Sequence, residues 1–164
     1  MASRLNQFET ITRSIAANRL ETRMPDLAEE SPPLHAFDSR NIHPSLPSKV
    51  KSLFDDGHYA EATFHAFKYL DKQVQKHSGI SDSGFKLMMA AFDDANPRVQ
   101  LTPLKTDSER DEQKGYRFIF AGGVQAIRNP RGHEDTVVDD LDVCLDHLSF
   151  VSMLLRRLEA AGFK

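Results

Sequence analysis

The sequence predicts an all-helical protein, organised as a bundle of about four or five helices with one extra helix at the N-terminus. Apolar residues in the longer segments recur every three or four positions, which is the spacing of an amphipathic helix. The final segment sustains a seven-residue repeat, the pattern by which helices pack side by side. The 164 residues are 40% hydrophobic and 27% charged, which is ordinary globular usage and enough for one domain with a core.

The N-terminal part of the chain is predicted to be separate from the main domain. Residues 4 to 23 place apolar side chains near helical spacing, so one weakly amphipathic helix is expected there. Residues 24 to 47 follow with most of the chain's eight prolines and no sustained periodicity, which is typical of a linker. We therefore place a helix and a Pro-rich linker at residues 1 to 40, and the helical domain at residues 41 to 164.

The middle of the chain predicts a run of helices interrupted by one surface excursion. A short helix is expected around Val50, a long one over residues 59 to 79, where glycine marks the stop, and an apolar one at residues 84 to 92. The polar residues 96 to 115 resemble a long surface excursion with room for a short strand pair within it. Residues 116 to 127 admit a strand pattern too, but the helical spacing of their second half favours a helix.

The last predicted helix is the clearest, because its apolar residues step alternately by four and three positions. This heptad seam consists of Val137, Leu141, Cys144, Leu148, Val151, Leu155 and Leu158. Acidic residues crowd the start of the helix and arginines its end, which is the order that the helix dipole favours. We interpret the acidic group as dipole support and a source of solubility; it comprises Asp135, Asp139, Asp140, Asp142 and Asp146.

Composition restricts the cellular setting and the partners. The formal net charge of −3 argues against a protein that coats nucleic acid, so any RNA contact must come from a local cluster. Cys144 is the only cysteine, which rules out an internal disulfide and fits a reducing cytosol; we interpret it as a small core residue. No stretch approaches the roughly 18 apolar residues of a membrane span, and the N-terminus lacks a signal pattern. A cytoplasmic protein without membrane contact is expected.

One segment carries residues suited to catalysis, the run R-N-P-R-G-H at residues 128 to 133. Pro130 is expected to end or kink the preceding helix and to move the residue before it out of the right-handed helical region. Uninterrupted helix would rotate Arg128 and His133 apart by about 140°. The kink, together with Gly132, would let both side chains face one cleft.

Arginine and histidine together suit RNA self-cleavage, in which the ribose 2′-hydroxyl attacks the adjacent phosphorus and the 5′-oxygen leaves. His133 can take or give a proton near neutral pH, the Arg128 guanidinium can hold two phosphate oxygens, and Asn129 can orient the phosphate or the imidazole. No metal or other cofactor is required. Two copies across a twofold axis would supply both a base and an acid. The same six residues also make a sound corner between helices with no catalytic function.

Four stretches of the chain carry a resemblance to a known group: HPSLPSKVKSLFDDGHYAEATFHAFKYLDKQV, GFKLMMAAF, DEQKGYRFIFAGGVQAIRNPRGHE and LSFVSMLLRRLEAA. Over residues 42 to 162 the chain resembles the Ymh-type group of bacterial hypothetical proteins, and that group resembles the HEPN superfamily. The superfamily marker is an arginine, often with a polar residue after it, followed a few residues later by histidine; Arg128, Asn129 and His133 match it. The resemblance implies a HEPN-like bundle and a homodimer whose motif faces form a composite ribonuclease site. It also implies a toxin-antitoxin, phage-defence or stress-response setting, in which an antitoxin or defence protein would be the partner.

Side chains on the central helix offer further candidates. Four polar residues share one of its faces: His58, Glu61, His65 and Lys68. Zinc binding is an alternative there, but no further ligand is evident, so a polar face lining a cleft is favoured. Glu61 or Lys68 would then bind substrate or support the catalytic pair, and Arg131 is either an additional phosphate contact or a solvated surface arginine. A second function therefore stays open, a noncatalytic helical module that binds a protein or a nucleotide.

Overall fold

The computed structural model describes residues 34 to 133 and 137 to 163 of the chain. The chain divides into two compact units, Met1–Leu34 and His35–Lys164, so the second unit begins a few residues before the predicted boundary. The helix predicted at the N-terminus lies outside the described residues, as does Asp135 of the predicted acidic group.

The described part of the second unit is helical, and no strand occurs within it, which confirms the predicted all-α class. Its helices are α1 (Ala36–Ser39), α2 (Ser48–Asp55), α3 (Tyr59–Ser78), α4 (Gly84–Ala91), α5 (Asp107–Gly123), α6 (Asn129–His133) and α7 (Leu141–Ala160). A π-helical turn, Val124–Arg128, joins α5 directly to α6. None of these described helices combines the length and the apolar character that crossing a bilayer requires.

Helix α3 is the centre of the bundle, where it packs against α2, α4, α6, α7 and the π turn. Its buried residues recur at the predicted helical spacing; they are Ala62, Thr63, Ala66, Phe67, Leu70, Asp71 and Val74. Gly79 ends the helix in the left-handed conformation at φ +69°, which confirms the predicted stop. Two of the buried residues, Thr63 and Asp71, are polar, and each has a partner in another element.

Helix α7 packs against α3 through the predicted heptad seam. The buried members of the seam are Cys144, Leu148, Val151, Leu155 and Leu158. The prediction is wrong at its first two positions, because Val137 precedes the helix and Leu141 is 42% exposed. The helix begins where Asp140 accepts a hydrogen bond from the Val143 N–H at 2.8 Å, so Asp140 is an N-cap.

The predicted surface excursion is wrong from Asp107 onward, because α5 begins there. Thr106 and Glu109 form a capping box: the Thr106 hydroxyl accepts from the Glu109 N–H at 3.2 Å, and the Glu109 carboxylate accepts from the Thr106 N–H at 3.1 Å. The residues before it stay non-helical and are tied to α5 by buried Gln113, which bonds the backbone of Val99 and Leu101. The helix predicted at residues 116 to 127 is therefore the second half of a longer one.

The chain also stays helical through Pro130, contrary to the prediction that Asn129 would leave the helical region. Asn129 has φ −64° and ψ −44°, which is right-handed helical backbone. Its N–H donates to the carbonyl of Val124, five residues earlier, and this bond closes the wider π turn. A proline ring inside an α-helix clashes with the carbonyl four residues before it. The wider turn gives the Pro130 ring room, so the helix is neither ended nor broken.

Candidate active site at the end of the π turn

Arg128, the last residue of the π turn, is held against α3. Its guanidinium lies over the Phe64 ring, with 5.3 Å between the guanidinium carbon and the ring centroid. Its Nη1 donates to Asn129 Oδ1 at 3.1 Å, and its side chain is only 21% exposed. The Asn129 amide in turn reaches Gln125 Oε1 at 3.4 Å. The structure therefore brings together two of the predicted catalytic residues, Arg128 and Asn129.

A buried carboxylate lies behind Arg128. Asp71 Oδ2 is 3.9 Å from Arg128 Nη2 and accepts a hydrogen bond from the Gly84 N–H at 3.1 Å. Gly84 adopts φ +63°, a left-handed conformation that glycine tolerates, and this conformation directs its N–H at Asp71. Burial raises the pKa of Asp71, and the Gly84 N–H, Arg128 and Lys72 partly offset that rise. The carboxylate therefore forms a poorly solvated negative site beside the guanidinium.

Phe64 also sets the position of α6. A Cβ placed on Gly132 would lie 2.6 Å from Phe64 Cε2, closer than real side chains approach. The backbone of α6 therefore lies directly against the aromatic ring that carries Arg128 on its face. One side chain of α3 thus fixes both the guanidinium and the short helix that ends at His133.

His133 is exposed at the end of α6. No hydrogen bond, ion pair or ring contact among residues 34 to 133 and 137 to 163 joins it to Arg128. The predicted meeting of Arg128 and His133 in one cleft is therefore not made by direct contact within the described chain. The structure presents a held arginine and asparagine, with an exposed imidazole one short helix further on.

Arg131 lies in a buried ion pair. It donates from Nε to Asp139 Oδ2 at 2.5 Å, from Nη2 to Asp139 Oδ1, and from Nη1 to the Ile127 carbonyl at 2.7 Å. The two side chains are 9% and 4% exposed, so Arg131 is not a solvated surface arginine. Asp139 is likewise not a solvent-facing residue that supports the dipole of α7, because its carboxylate is used to bind Arg131. This pair ties α6 to the segment that leads into α7.

His147 of α7 extends this pair. Its Nδ1 is 3.9 Å from Asp139 Oδ2, and the same nitrogen is buried without a hydrogen-bond partner. Burial lowers the pKa of His147, and the nearby charge of Arg131 lowers it further, against the opposing effect of Asp139 and Asp146. A neutral imidazole therefore lies beside the ion pair.

The polar face of α3 is solvent-facing beside Phe64. Glu61 and Lys68 are exposed, His65 is half-buried and His58 is the exposed N-cap of the helix. Burial lowers the pKa of His65, Lys49 and Lys68 lower it further, and Glu61 opposes them. Within the described residues, no group of three His, Cys, Asp or Glu side chains has the arrangement of a metal site. These residues form a polar face of α3 beside Phe64.

Cys144 is a core residue, as predicted. Its thiol is buried in α7 and accepts a hydrogen bond from Thr63 Oγ1 at 3.6 Å. Burial raises the pKa of the thiol to about 11, which keeps it protonated at neutral pH. A nucleophilic function for Cys144 is not supported.

Sequence reasoning missed three residues of this site: Phe64, Asp71 and Asp139. Asp71 carried a signal, since a carboxylate stands at a position where the periodicity of α3 requires burial. Phe64 had no distinguishing signal, because half-buried aromatic residues are common on packed helices. Asp139 was concealed by its acidic neighbours, whose position before α7 offered a sufficient local explanation.

The fold and this arrangement define an all-helical protein with an arginine held at a helix junction and a histidine exposed beyond it. The profile of the family described as "Protein of unknown function (Hypoth_ymh)" matches residues 40–158. The chain therefore belongs to the Hypoth_Ymh family. No curated protein and no solved structure matches the chain.

Proposed function

We propose that this protein is a metal-independent endoribonuclease of the HEPN type, acting at a cleft between two copies of the chain. The observation that carries the proposal is the position of Arg128, whose guanidinium lies over the Phe64 ring and donates to Asn129 Oδ1 at 3.1 Å. A half-buried cation with free donor capacity is suited to receive a phosphate, since charge interactions strengthen as water is excluded. His133 follows at the end of the short helix α6, with its imidazole accessible to substrate.

The reaction needs only the groups of this chain and an RNA strand. His133 of one copy takes the proton of a ribose 2′-hydroxyl, whose oxygen forms a bond to the adjacent phosphorus. The bond from phosphorus to the 5′-oxygen breaks, and His133 of the other copy donates a proton to that oxygen. Arg128 binds the phosphate oxygens as their charge grows, and Asn129 orients them. The products are a 2′,3′-cyclic phosphate and a 5′-hydroxyl, so atoms and protons balance without a metal or other cofactor.

The face of α5 that leads into the π turn supports the homodimer. Phe118 and Ile119 are 54% and 40% exposed, although both are large and apolar. Gly122 and Ala126 continue the same exposed side toward Arg128. Small residues beside exposed aromatic and aliphatic ones let two helices approach closely while burying apolar area. Pairing along this face would bring two copies of the Arg128 and His133 pair together.

The remaining substrate contacts are part of the same proposal. Lys68 and Glu61 lie exposed on α3 on either side of Phe64, where Lys68 would bind a flanking phosphate and Glu61 would orient a hydroxyl. Arg131 contributes by fixing α6 through Asp139, since its guanidinium donors are used in that pair. Single-stranded or loop RNA is the favoured substrate, because unstacked nucleotides can adopt the in-line geometry. The setting we propose is cytoplasmic, as a toxin or phage-defence effector.

The test is cleavage of mixed cellular RNA in EDTA by purified full-length protein. Wild type should release 2′,3′-cyclic phosphate ends, and His133→Ala or Arg128→Ala should lower the rate by about 100-fold or more. His58→Ala is the matched control, because it removes an exposed imidazole from the start of α3. Equal cleavage by wild type and both site variants would refute the assignment. A monomer at micromolar concentration, measured by mass in solution, would refute the shared cleft.

The second candidate is a noncatalytic helical module that binds a protein or a nucleotide. The observation favouring it is that two residues of the motif have structural contacts. Arg131 forms an ion pair with Asp139, and the backbone at Gly132 packs directly against the Phe64 ring. Expression in cells separates the two functions: toxicity that disappears with His133→Ala favours the nuclease. Absence of RNA cleavage together with retained partner binding by His133→Ala favours the module.

A further inference from the structure

Two buried polar atoms where α3 meets the π turn have no hydrogen-bond partner, and they belong to adjacent side chains. They are Oδ1 of Asp71 and Nε of Arg128. Asp71 is 3% exposed, and its other oxygen is held by the Gly84 N–H. Buried polar atoms are nearly always paired, and unpaired ones concentrate where function requires them. An ion pair that is close and incompletely bonded therefore needs an explanation beyond folding.

We propose that Asp71 is a positioning residue of the RNA cleavage site, which sets the orientation of the Arg128 guanidinium before phosphate binds. The inference rests on the proposed function for its catalytic consequence. The Phe64 ring holds the guanidinium carbon 5.3 Å from its centroid but leaves the guanidinium free to turn about that position. The carboxylate 3.9 Å from Nη2 removes that freedom, because turning would separate the two opposite charges in a poorly solvated place.

The position of Asp71 suits it to this role. The carboxylate lies on the central helix, is nine-tenths buried or more, and is bonded to a backbone N–H that glycine alone presents without strain. Among the described residues, no other carboxylate is within ion-pair distance of Arg128. The remaining partner of the guanidinium, Asn129, is its sequence neighbour and moves with it. Asp71 is therefore the charged residue outside the π turn and α6 against which the Arg128 guanidinium is oriented.

The inference implies a dependence on pH that originates at Asp71. The groups that face its carboxylate are Arg128, Lys72 and the Gly84 N–H, all of which favour the charged form, while burial opposes it. Protonation as pH falls through the raised pKa of Asp71 removes the charge that orients Arg128. Asp71→Asn keeps the shape and an acceptor for the Gly84 N–H, but it has no such charge to lose.

The activity test compares Asp71→Asn with Asp82→Asn, which makes the same chemical change at an exposed carboxylate before α4. Asp71→Asn should lower kcat by about 10- to 100-fold with little change in KM, as misplaced catalytic groups do. It should also flatten the acid side of the pH profile, whereas Asp82→Asn should behave as wild type. In an Arg128→Lys background, Asp71→Asn should have no further effect, because lysine lacks the planar guanidinium that Asp71 orients. Full additivity of the two changes would overturn the inference.

A second measurement is independent of catalysis and uses wild-type protein. The Arg128 Nε–H is observed by nitrogen-edited NMR and assigned by its disappearance in Arg128→Lys. It should exchange slowly with solvent, and its chemical shift should follow the titration of Asp71. A signal insensitive to that titration would overturn the positioning role. If wild type cleaves no RNA but the signal follows Asp71, the proposed ribonuclease fails while the coupling between the two side chains stands.

Discussion

Substituting Gly132 with alanine tests the contact on which the site geometry depends. The new Cβ would lie 2.6 Å from Phe64 Cε2 and 3.3 Å from its Cδ2, so the ring or α6 must move. Forcing a methyl group into a filled position costs about 1–3 kcal/mol. Alanine in a helix is favoured over glycine by up to about 1 kcal/mol. The net change should be a loss of stability of about 1 kcal/mol, less if the Phe64 ring turns aside.

Gly122 provides the matched control for this substitution. It lies in α5, and a Cβ placed there would have no neighbour within 4 Å. In protein diluted until the chain is monomeric, Gly122→Ala should therefore raise the free energy of unfolding by up to about 1 kcal/mol through helix propensity alone. Urea unfolding at neutral pH, followed by circular dichroism, measures both variants. In a Phe64→Ala background, Gly132→Ala should become stabilising as well. Equal stabilisation by both alanine substitutions in the otherwise wild-type chain would refute the packing of α6 against Phe64.

Three further predictions concern buried groups. Asp139→Ala should lower the free energy of unfolding by about 3 kcal/mol or more, because it leaves the Arg131 guanidinium buried without its partner; a loss below about 1 kcal/mol in urea unfolding would contradict the buried pair. With the pKa of its thiol raised to about 11, Cys144 should react with iodoacetamide at pH 8 at least about 100-fold more slowly than free cysteine, and denaturant should abolish the protection. Because burial lowers the pKa of His147, the unfolded chain takes up its proton first, so stability should fall as pH drops below 6.5, the ordinary pKa of histidine. His147→Gln should reduce the slope of melting temperature against pH in that window, and an unchanged slope would assign the acid sensitivity to other histidines.

Sequence periodicity was sufficient for the helices that bury a continuous face. Helices α3 and α7 were predicted because their apolar residues recur over five turns or so, and burial is the reason for that recurrence. The first half of α5 failed the same test, since its polar residues are mostly exposed and have no apolar period to read. The start of α5 nevertheless has a local sequence signal, the capping box formed by Thr106 and Glu109. A capping box therefore indicates the start of a helix even where no stripe of apolar residues follows it.

The residues of the candidate site also fall into two groups, those that a local sequence pattern indicates and those that only tertiary packing brings in. Arg128, Asn129 and His133 are near neighbours in the chain, so their spacing alone could suggest a shared role. Asp71 and Phe64 reach them only through the packing of α3 against the π turn and α6, which no local pattern encodes. The partner of Arg131 was beyond local reasoning for a related reason, because Asp139 also suited the start of α7. Residues that support a site from another element become visible only once the fold is known.

The π turn connects the fold to the proposed chemistry. Proline in a helix removes a backbone donor and crowds the preceding turn, and the sequence predicts that the helix ends or kinks there, with Asn129 outside the right-handed helical region. The structure instead widens the turn just before Pro130, which keeps α6 continuous with α5. A wider turn advances fewer degrees per residue, so Arg128 leaves the helix surface at an angle that an α-helix of the same sequence would not give it. That angle places the guanidinium on Phe64 and beside Asp71, while α6 carries His133 onward to solvent. Pro130 thus contributes to the site through the backbone around it, since the turn that accommodates its ring is also the turn that aims the arginine.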